Sequence, residues 1–347
     1  MPQVELRLGS RKVTVHKSAL HAKFEDRTVL TSDVWQYVEL WLRRENSREA
    51  SFYWSQSKEF YLASQTLAPV SAPLTLYYCF LNAVKALLVH EKVQTSPRHG
   101  VSGRSTTKKS TLSGEQVKMG NGGVAATLAR FLGEADTRST YSMKQILYNL
   151  PYIHRAYTLT YRKQPELFIP VRGNTYVLKE GSSEGWLRIE PDDGFGSQRI
   201  LSDLPTGFER DAGVQDKLVL RPKFRFRWHD NDENALRASL VRLSNYNRRM
   251  RTHLHYIRGS PPTWYLKAQS GSADVIHRSP LTLTFIAMHR LSELARYEPL
   301  KLKRLLETQQ NWLLSEFIGS AAIQFLDEVA SEITGQNLAL PFVRGSR

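Results

Sequence analysis

Between Asn247 and His255 the chain reads Asn-Arg-Arg-Met-Arg-Thr-His-Leu-His, so Arg249 stands four residues before His253 and six before His255. An imidazole that titrates near neutrality can take the proton of a ribose 2′-hydroxyl, and an arginine fork can hold the phosphate through two hydrogen bonds. Arg249, His253 and His255 are therefore the candidate catalytic residues of a metal-independent cleavage of RNA. The competing account of the same residues is an exposed basic strand, since residues two apart on a strand share a face. As metal ligands His253 and His255 lack a carboxylate nearby in sequence, and His229, Asp230 and Asp232 read as an ordinary loop. Neither a metal nor an organic cofactor is expected.

The surroundings of that segment are basic: residues 221–258 hold ten Lys and Arg against three acidic residues. Lys223, Arg225, Arg227, Arg248, Arg251 and Arg258 are the candidate nucleic-acid contacts, and Tyr246, Tyr256 and Trp264 can stack on unpaired bases. The alternative is that these aromatics are core and the arginines a solvated face. Arg296 and Glu298, just before Pro299, read first as an ion pair fixing a helix junction and second as an active-site arginine with its partner. Asn82 and Lys85 share one face of an apolar helix, where Asn can link helices and Lys can reach water. The single cysteine, Cys79, excludes an intrachain disulfide and reads as a small buried hydrophobe. No phosphate-binding Gly loop, dinucleotide fingerprint, His-Glu-x-x-His or Gly-x-Ser-x-Gly occurs, which disfavours the common nucleotide hydrolases, oxidoreductases, zinc proteases and serine esterases.

Over the 347 residues, 48 Lys and Arg face 33 Asp and Glu, a net charge of +15 that favours polyanions: RNA, DNA or an acidic protein. With 41% hydrophobic residues the chain can bury the core of one large or two smaller domains. The stretch from Met1 to Arg7 lacks the apolar centre of a leader peptide. The longest apolar run, Leu74 to Val89, is interrupted by Asn82 and Lys85 and is too short to span a bilayer. The expected location is cytoplasmic, without a membrane partner.

The elements that must position these residues follow from periodicity. Val4, Leu6 and Leu8, the turn Gly9-Ser10-Arg11, then Val13 and Val15 predict a hairpin. Thr31-Ser32-Asp33 caps a helix through Val34, Tyr37, Val38 and Trp41. Helices follow at Ser51 to Leu67, Leu74 to Val89, Val124 to Leu132 and Met143 to Tyr161, the last restarted by Pro151. Residues 94–123 read as a long, strand-poor loop. From Pro165 to Ala268 strands dominate, among them Leu218 to Trp228, where Phe224, Phe226 and Trp228 alternate with Lys223, Arg225 and Arg227. A helix is expected at Asn234 to Leu243. Paired strands are expected at Thr252 to Ile257 and Thr263 to Lys267, joined across Arg258-Gly259-Ser260-Pro261-Pro262. Leu281 to Ala295, Leu300 to Phe317 and Gly319 to Ile333 are the closing helices. The predicted fold is mainly α with a β-rich insertion (α+β), a helical bundle formed by the N- and C-terminal parts. Its domains are 1–164, 165–279 and 280–347. Arg344-Gly345-Ser346-Arg347 reads as a native tail or a remnant of an expression fusion.

Two segments resemble the YaaC-like family: Ser71-Ala72-Pro73-Leu74-Thr75-Leu76-Tyr77-Tyr78-Cys79-Phe80-Leu81-Asn82-Ala83-Val84-Lys85-Ala86-Leu87-Leu88, and Leu291-Ser292-Glu293-Leu294-Ala295-Arg296-Tyr297-Glu298-Pro299 with Trp312 and Ser315-Glu316-Phe317. His99-Gly100 and Asn121-Gly122-Gly123 look like further landmarks, so the resemblance spans most of the chain and covers the β-rich middle less clearly. It implies an architecture and carries no reaction. The first helix is also similar to those of HEPN-type domains, which include ribonucleases of conflict and defence systems with an Arg followed by His after four to six residues. Segment 247–255 meets that spacing, but on an expected strand, where HEPN nucleases hold theirs at a helix end. Together these resemblances imply a nucleic-acid-binding accessory protein of a bacterial antiviral-defence or RNA-processing system, in its catalytic form an HEPN-like metal-independent ribonuclease. The other class left open is a non-catalytic helical scaffold whose basic face binds an acidic protein. The oligomeric state is open, a homodimer included.

Overall fold

The computed structural model describes residues 2–194, 197–259, 262–269 and 272–341. Helix starts follow local chemistry. The Asp33 carboxylate accepts the Gln36 amide and opens Val34–Arg44, and Asp232 accepts the Ala235 amide and opens Glu233–Met250. Pro73 and Pro280 sit in the first turns of Ala72–His90 and Pro280–Tyr297, where a missing amide donor costs nothing. The fold is mixed α+β and divides into two compact units, each discontinuous in sequence, unlike the division at 164/165 and 279/280.

The first unit comprises Met1–Leu30, Leu167–Gly271 and Gly335–Arg347. Its centre is a curled eight-stranded antiparallel sheet. The order runs Phe208–Arg210, Leu220–Pro222, Glu184–Pro191, Phe168–Lys179, Thr263–Lys267, Leu254–Ile257, with Gln3–Glu5 on the fourth of these and Phe226–Arg227 on the third. The predicted N-terminal hairpin forms as Arg7–Leu8 with Arg11–Lys12, and Gln3–Glu5 beside it pairs with Val177–Lys179. Tyr176, Leu187, Tyr256 and Leu266 pack in one core with Leu243, Tyr246 and Met250 of the Glu233–Met250 helix. Asn247 pins that helix from within: Oδ1 accepts from His16 N (3.0 Å) and the Tyr176 hydroxyl (3.1 Å), and Nδ2 donates to Ser18 O (3.0 Å).

The second unit comprises Thr31–Glu166 and Ser272–Thr334. Ala72–His90 is its central helix, lying against Arg48–Ser64, Pro280–Tyr297 and Asn311–Thr334, with Phe80 stacked on Phe325 at 4.2 Å between ring centres. This helix is 19 residues long and, contrary to expectation, long and apolar enough to cross a membrane by length and composition alone; most of it is buried inside the protein.

Four other expectations are corrected. Leu218 to Trp228 is two short strands, because Pro222 has no amide to continue the ladder. Residues 94–123 contain Val101–Ser105 and Glu115–Met119, paired with each other, and the second of them also pairs with Thr140–Ser142; buried Glu115, Val117 and Met119 supply the alternation. The helix expected to end at Leu243 runs to Met250, since Tyr246, Asn247 and Met250 prolong its buried face. Near the end the helices are Pro299–Leu306 and Asn311–Thr334: the break falls at Thr308, whose hydroxyl bonds Leu305 O (2.8 Å) and Gln310 Oε1 (2.7 Å), and Gly319 is carried inside the long helix. Ser260-Pro261 of the expected turn and the tail Arg344 to Arg347 lie outside the described residues.

Candidate functional site

The first unit places the predicted residues unequally. Lys223, Arg227, Arg248 and Arg249 are exposed. Arg242 Nε donates to Arg227 O (2.9 Å) and the Arg249 guanidinium lies 3.5 Å from the Phe224 ring centre, so the helix and the 223–227 segment share one edge. Arg225 instead turns inward, over Trp186 and donating to the carbonyls of Phe224 and Pro222. Arg251 also serves the fold: it donates to Lys17 O (3.1 Å) and to Leu254 O, and its guanidinium lies 5.3 Å from both Tyr256 and Trp264. Arg258 is half-buried. Tyr246, Tyr256 and Trp264 are core residues, which removes them as stacking platforms.

His253 is not on a strand; it occupies the turn after the helix, half-buried, its ring 5.1 Å from Phe208. His255 is on the strand Leu254–Ile257 and is enclosed, its ring edge-on to Phe168 and its Nε2 without a partner. Burial first, then the charges of Lys267 and Arg251, hold its imidazole far below the usual range, so it is neutral at pH 7. A phosphate held by the exposed Arg249 therefore has no access to His255 in this fold.

Arg296 and Glu298 do not pair. Arg296 is exposed beside the Tyr297 ring, and Glu298 ion-pairs with Arg290 (3.6 Å) and Lys301 (3.8 Å). Asn82 Nδ2 donates to its own helix at Tyr78 O (2.8 Å) rather than linking two helices. Cys79 is buried, its thiol pushed up to about 12 by burial, which makes it unreactive.

The second unit assembles a polar cluster that sequence reasoning missed. Arg290 donates through Nε (3.1 Å) and Nη2 (2.6 Å) to Glu115 Oε2, and through Nη1 to Glu293 Oε2 (3.0 Å); Lys301 Nζ reaches Glu115 Oε1 at 2.9 Å. Glu293 Oε1 also accepts the Gly103 amide (3.2 Å). A Cβ at Gly103 would collide with the Glu293 carboxylate and the Arg290 side chain. Gly103→Ala is therefore expected to cost about 1–3 kcal/mol, read as a lower urea midpoint.

Beside this network the Tyr77 hydroxyl meets His99 Nδ1 at 2.6 Å, and the His289 ring lies 4.8 Å from Tyr77 and 5.9 Å from His99. The two loops that carry Gly100, before Val101–Ser105, and Gly123, after Glu115–Met119, hold His99 in place. Gly100 and Gly123 have φ of +77° and +90°, a Cβ on Gly123 would strike the Gly100 backbone, and Val124 N and Ala125 N donate to Arg98 O (2.9 Å) and His99 O (3.1 Å). Burial, then Lys85 and Arg296, keep His99 below the usual range; burial, then His99, Arg296 and Arg290, bring His289 to about 3. Burial pushes the Tyr77 phenol well up, so it keeps its proton. The one sequence signal for this cluster was His289-Arg290 inside an apolar helical run with Glu293 three and four residues on.

A curled antiparallel sheet packed against a basic helix, and a helix-rich unit with a buried Arg–Glu–Lys network, define a two-unit α+β protein without a group of three metal-ligating side chains among the described residues. The chain belongs to the YaaC-like protein family, whose model matches residues 14–333. No curated protein and no solved structure matches it. The segments that carry the resemblance, around Tyr77, His99, Gly123 and Glu293, meet in the second unit.

Proposed function

We propose that the chain is a cytoplasmic nucleic-acid-binding accessory protein, and that Lys223, Arg227, Arg248 and Arg249 form the surface that meets the phosphate backbone. One observation carries this: the four cations are exposed, on a helix end and the 223–227 segment that the Arg249–Phe224 contact brings together, and none is paired with a carboxylate among the described residues. Such charges release condensed counterions from a polyanion, which supplies affinity without sequence preference. Their siblings Arg221 and Arg237 are neutralised by Glu209 and Glu233, so the edge differs from a generally solvated basic face. A setting in defence or RNA processing rests on the similarity of the Ala72–His90 helix to HEPN helices, and a bundle made from both chain ends belongs to the same reading. Binding rather than cleavage is favoured, because His255 is enclosed.

Fluorescence anisotropy with labelled single-stranded RNA and duplex DNA across a salt series tests this. Affinity should fall linearly on a log–log plot, and Arg248→Glu with Arg249→Glu should weaken binding at least ~10-fold at low salt and flatten the slope by about two. Absence of binding at low salt overturns the proposal and favours an acidic protein as the partner. Probes recovered shortened, and intact with His253→Ala, would establish the ribonuclease instead.

A further inference from the structure

We infer that the basic edge of the sheet unit takes unpaired nucleotides, and that the Arg249 guanidinium, laid on the Phe224 ring, is the platform on which a base stacks. The inference rests on the nucleic-acid reading of that edge and names the form of strand it holds. The Arg249 guanidinium carbon lies 3.5 Å from the centre of the Phe224 ring. At that distance the guanidinium plane lies along the ring face, because a steeply tilted one would press a nitrogen into the ring. The ring beneath is itself anchored. It is half-buried and packs on the core of the sheet unit, 5.0 Å from the ring of buried Tyr246, whose hydroxyl donates to Phe224 O (3.4 Å).

Other arginines of this unit also lie over rings, and their engagement sets Arg249 apart. Arg221 is 5.6 Å and Arg225 4.9 Å from the Trp186 ring centre, and Arg251 is 5.3 Å from that of Tyr256. All three are half-buried, and each has donors already engaged: Arg221 with Glu209 and Asp211, Arg225 with the carbonyls of Phe224 and Pro222, Arg251 with those of Lys17 and Leu254. Arg249 is exposed, and its guanidinium has no carboxylate or carbonyl partner among the described residues. Phe224 covers one face of the guanidinium. The opposite face is left to solvent, and the N–H donors around its rim are left for phosphate oxygens. Unpaired bases stack on guanidinium planes, whereas a base inside a duplex has both faces covered by its neighbours and reaches such a surface only by leaving the stack. Lys223 and Arg248, exposed and next in sequence to the two members of the pair, supply charge for the flanking phosphates. With Tyr246, Tyr256 and Trp264 in the core, this arginine takes the part that an exposed aromatic ring plays in other single-strand binders.

Fluorescence anisotropy on the full chain at one low salt concentration tests the platform with four probes of equal phosphate number: single-stranded RNA, single-stranded DNA of the same sequence, duplex DNA, and a single strand whose sugars lack bases. The two base-bearing single strands should bind about 10-fold tighter than the duplex and the abasic strand, the effect of one base stack. Arg249→Lys keeps the charge that serves phosphates and loses the plane, so it should bring the single strands down to parity with the abasic strand. Phe224→Leu, which keeps an apolar contact on the core and removes the ring beneath the guanidinium, should lower the single-strand preference as well, with circular dichroism confirming the fold. Tighter binding of either the RNA or the DNA strand, both above the duplex, supports the platform and identifies the sugar that the edge meets. Equal affinity for all four probes, or a preference that survives in folded Arg249→Lys protein, overturns the platform and leaves the basic edge standing. Absence of binding by every probe overturns the edge and the platform together.

Discussion

Replacing Glu115 with alanine should destabilise the chain by about 3–5 kcal/mol, the cost of leaving a buried partner charge uncompensated. Glu115 is wholly enclosed; its Oε2 takes two donors from Arg290, its Oε1 lies 2.9 Å from Lys301, and the Ser105 hydroxyl bonds it at 3.0–3.1 Å. The Arg290 side chain is only 4% exposed, so without Glu115 its guanidinium has neither water nor its main counter-charge. Lys301 can reach solvent past Glu298, and suffers less. The double variant Glu115→Leu, Arg290→Met should recover most of the loss, since the desolvation of a buried pair offsets much of its attraction. Urea unfolding of the four corners of this cycle measures the coupling. A single-variant effect below about 1 kcal/mol would mean that the network contributes little to stability.

The second large effect is acid lability. His16 and His289 are brought to about 3, His154 to about 4, and His255 far below the usual range, in each case first by burial. In the unfolded chain each titrates near 6.5, so below that pH the unfolded state binds protons that the folded state refuses. Stability from these groups is therefore complete above about pH 6.5 and is lost as pH falls toward 4, by up to about 1.4 kcal/mol per pH unit for each ring. The units share the burden: His16 and His255 lie in the sheet unit, His154 and His289 in the helix-rich one. Charges already facing these rings, Arg251 at His16 and His255 and Arg155 at His154, work in the same direction. Urea midpoints followed by circular dichroism from pH 7.5 to 5 should fall steeply, and His154→Phe should remove about one proton from the slope. A flat profile over that range would show that the rings accept protons inside the fold.

Much of the local structure was legible because it is local. Asp33 and Asp232 announce their helices through one hydrogen bond each, a capping residue reaching three positions on. Pro222 carried the signal that cuts the Leu218 to Trp228 run, and the alternation around it outweighed that signal in the sequence reading. The Glu115–Met119 strand hid in a polar stretch, because the residue at its first inward position is a glutamate, buried only because Arg290 stands 175 positions away. The same distance explains why Arg290, which has Glu293 three residues on, could not be matched to Glu115 from the sequence.

The charge of +15, the helix caps, the apolar faces and the proline breaks are sums or short-range patterns, and the sequence by itself determined them. Which basic residues face water was decided only by the tertiary structure. Arg225 and Arg251 are drawn against Trp186 and Tyr256 while Arg248 and Arg249 stay outside, and His255 is sealed against Phe168 although His253, two residues earlier, is half-buried in a turn. Burial and ion pairing depend on groups brought in from far along the chain, and those partners set whether a charge is neutralised, desolvated or free to meet a phosphate.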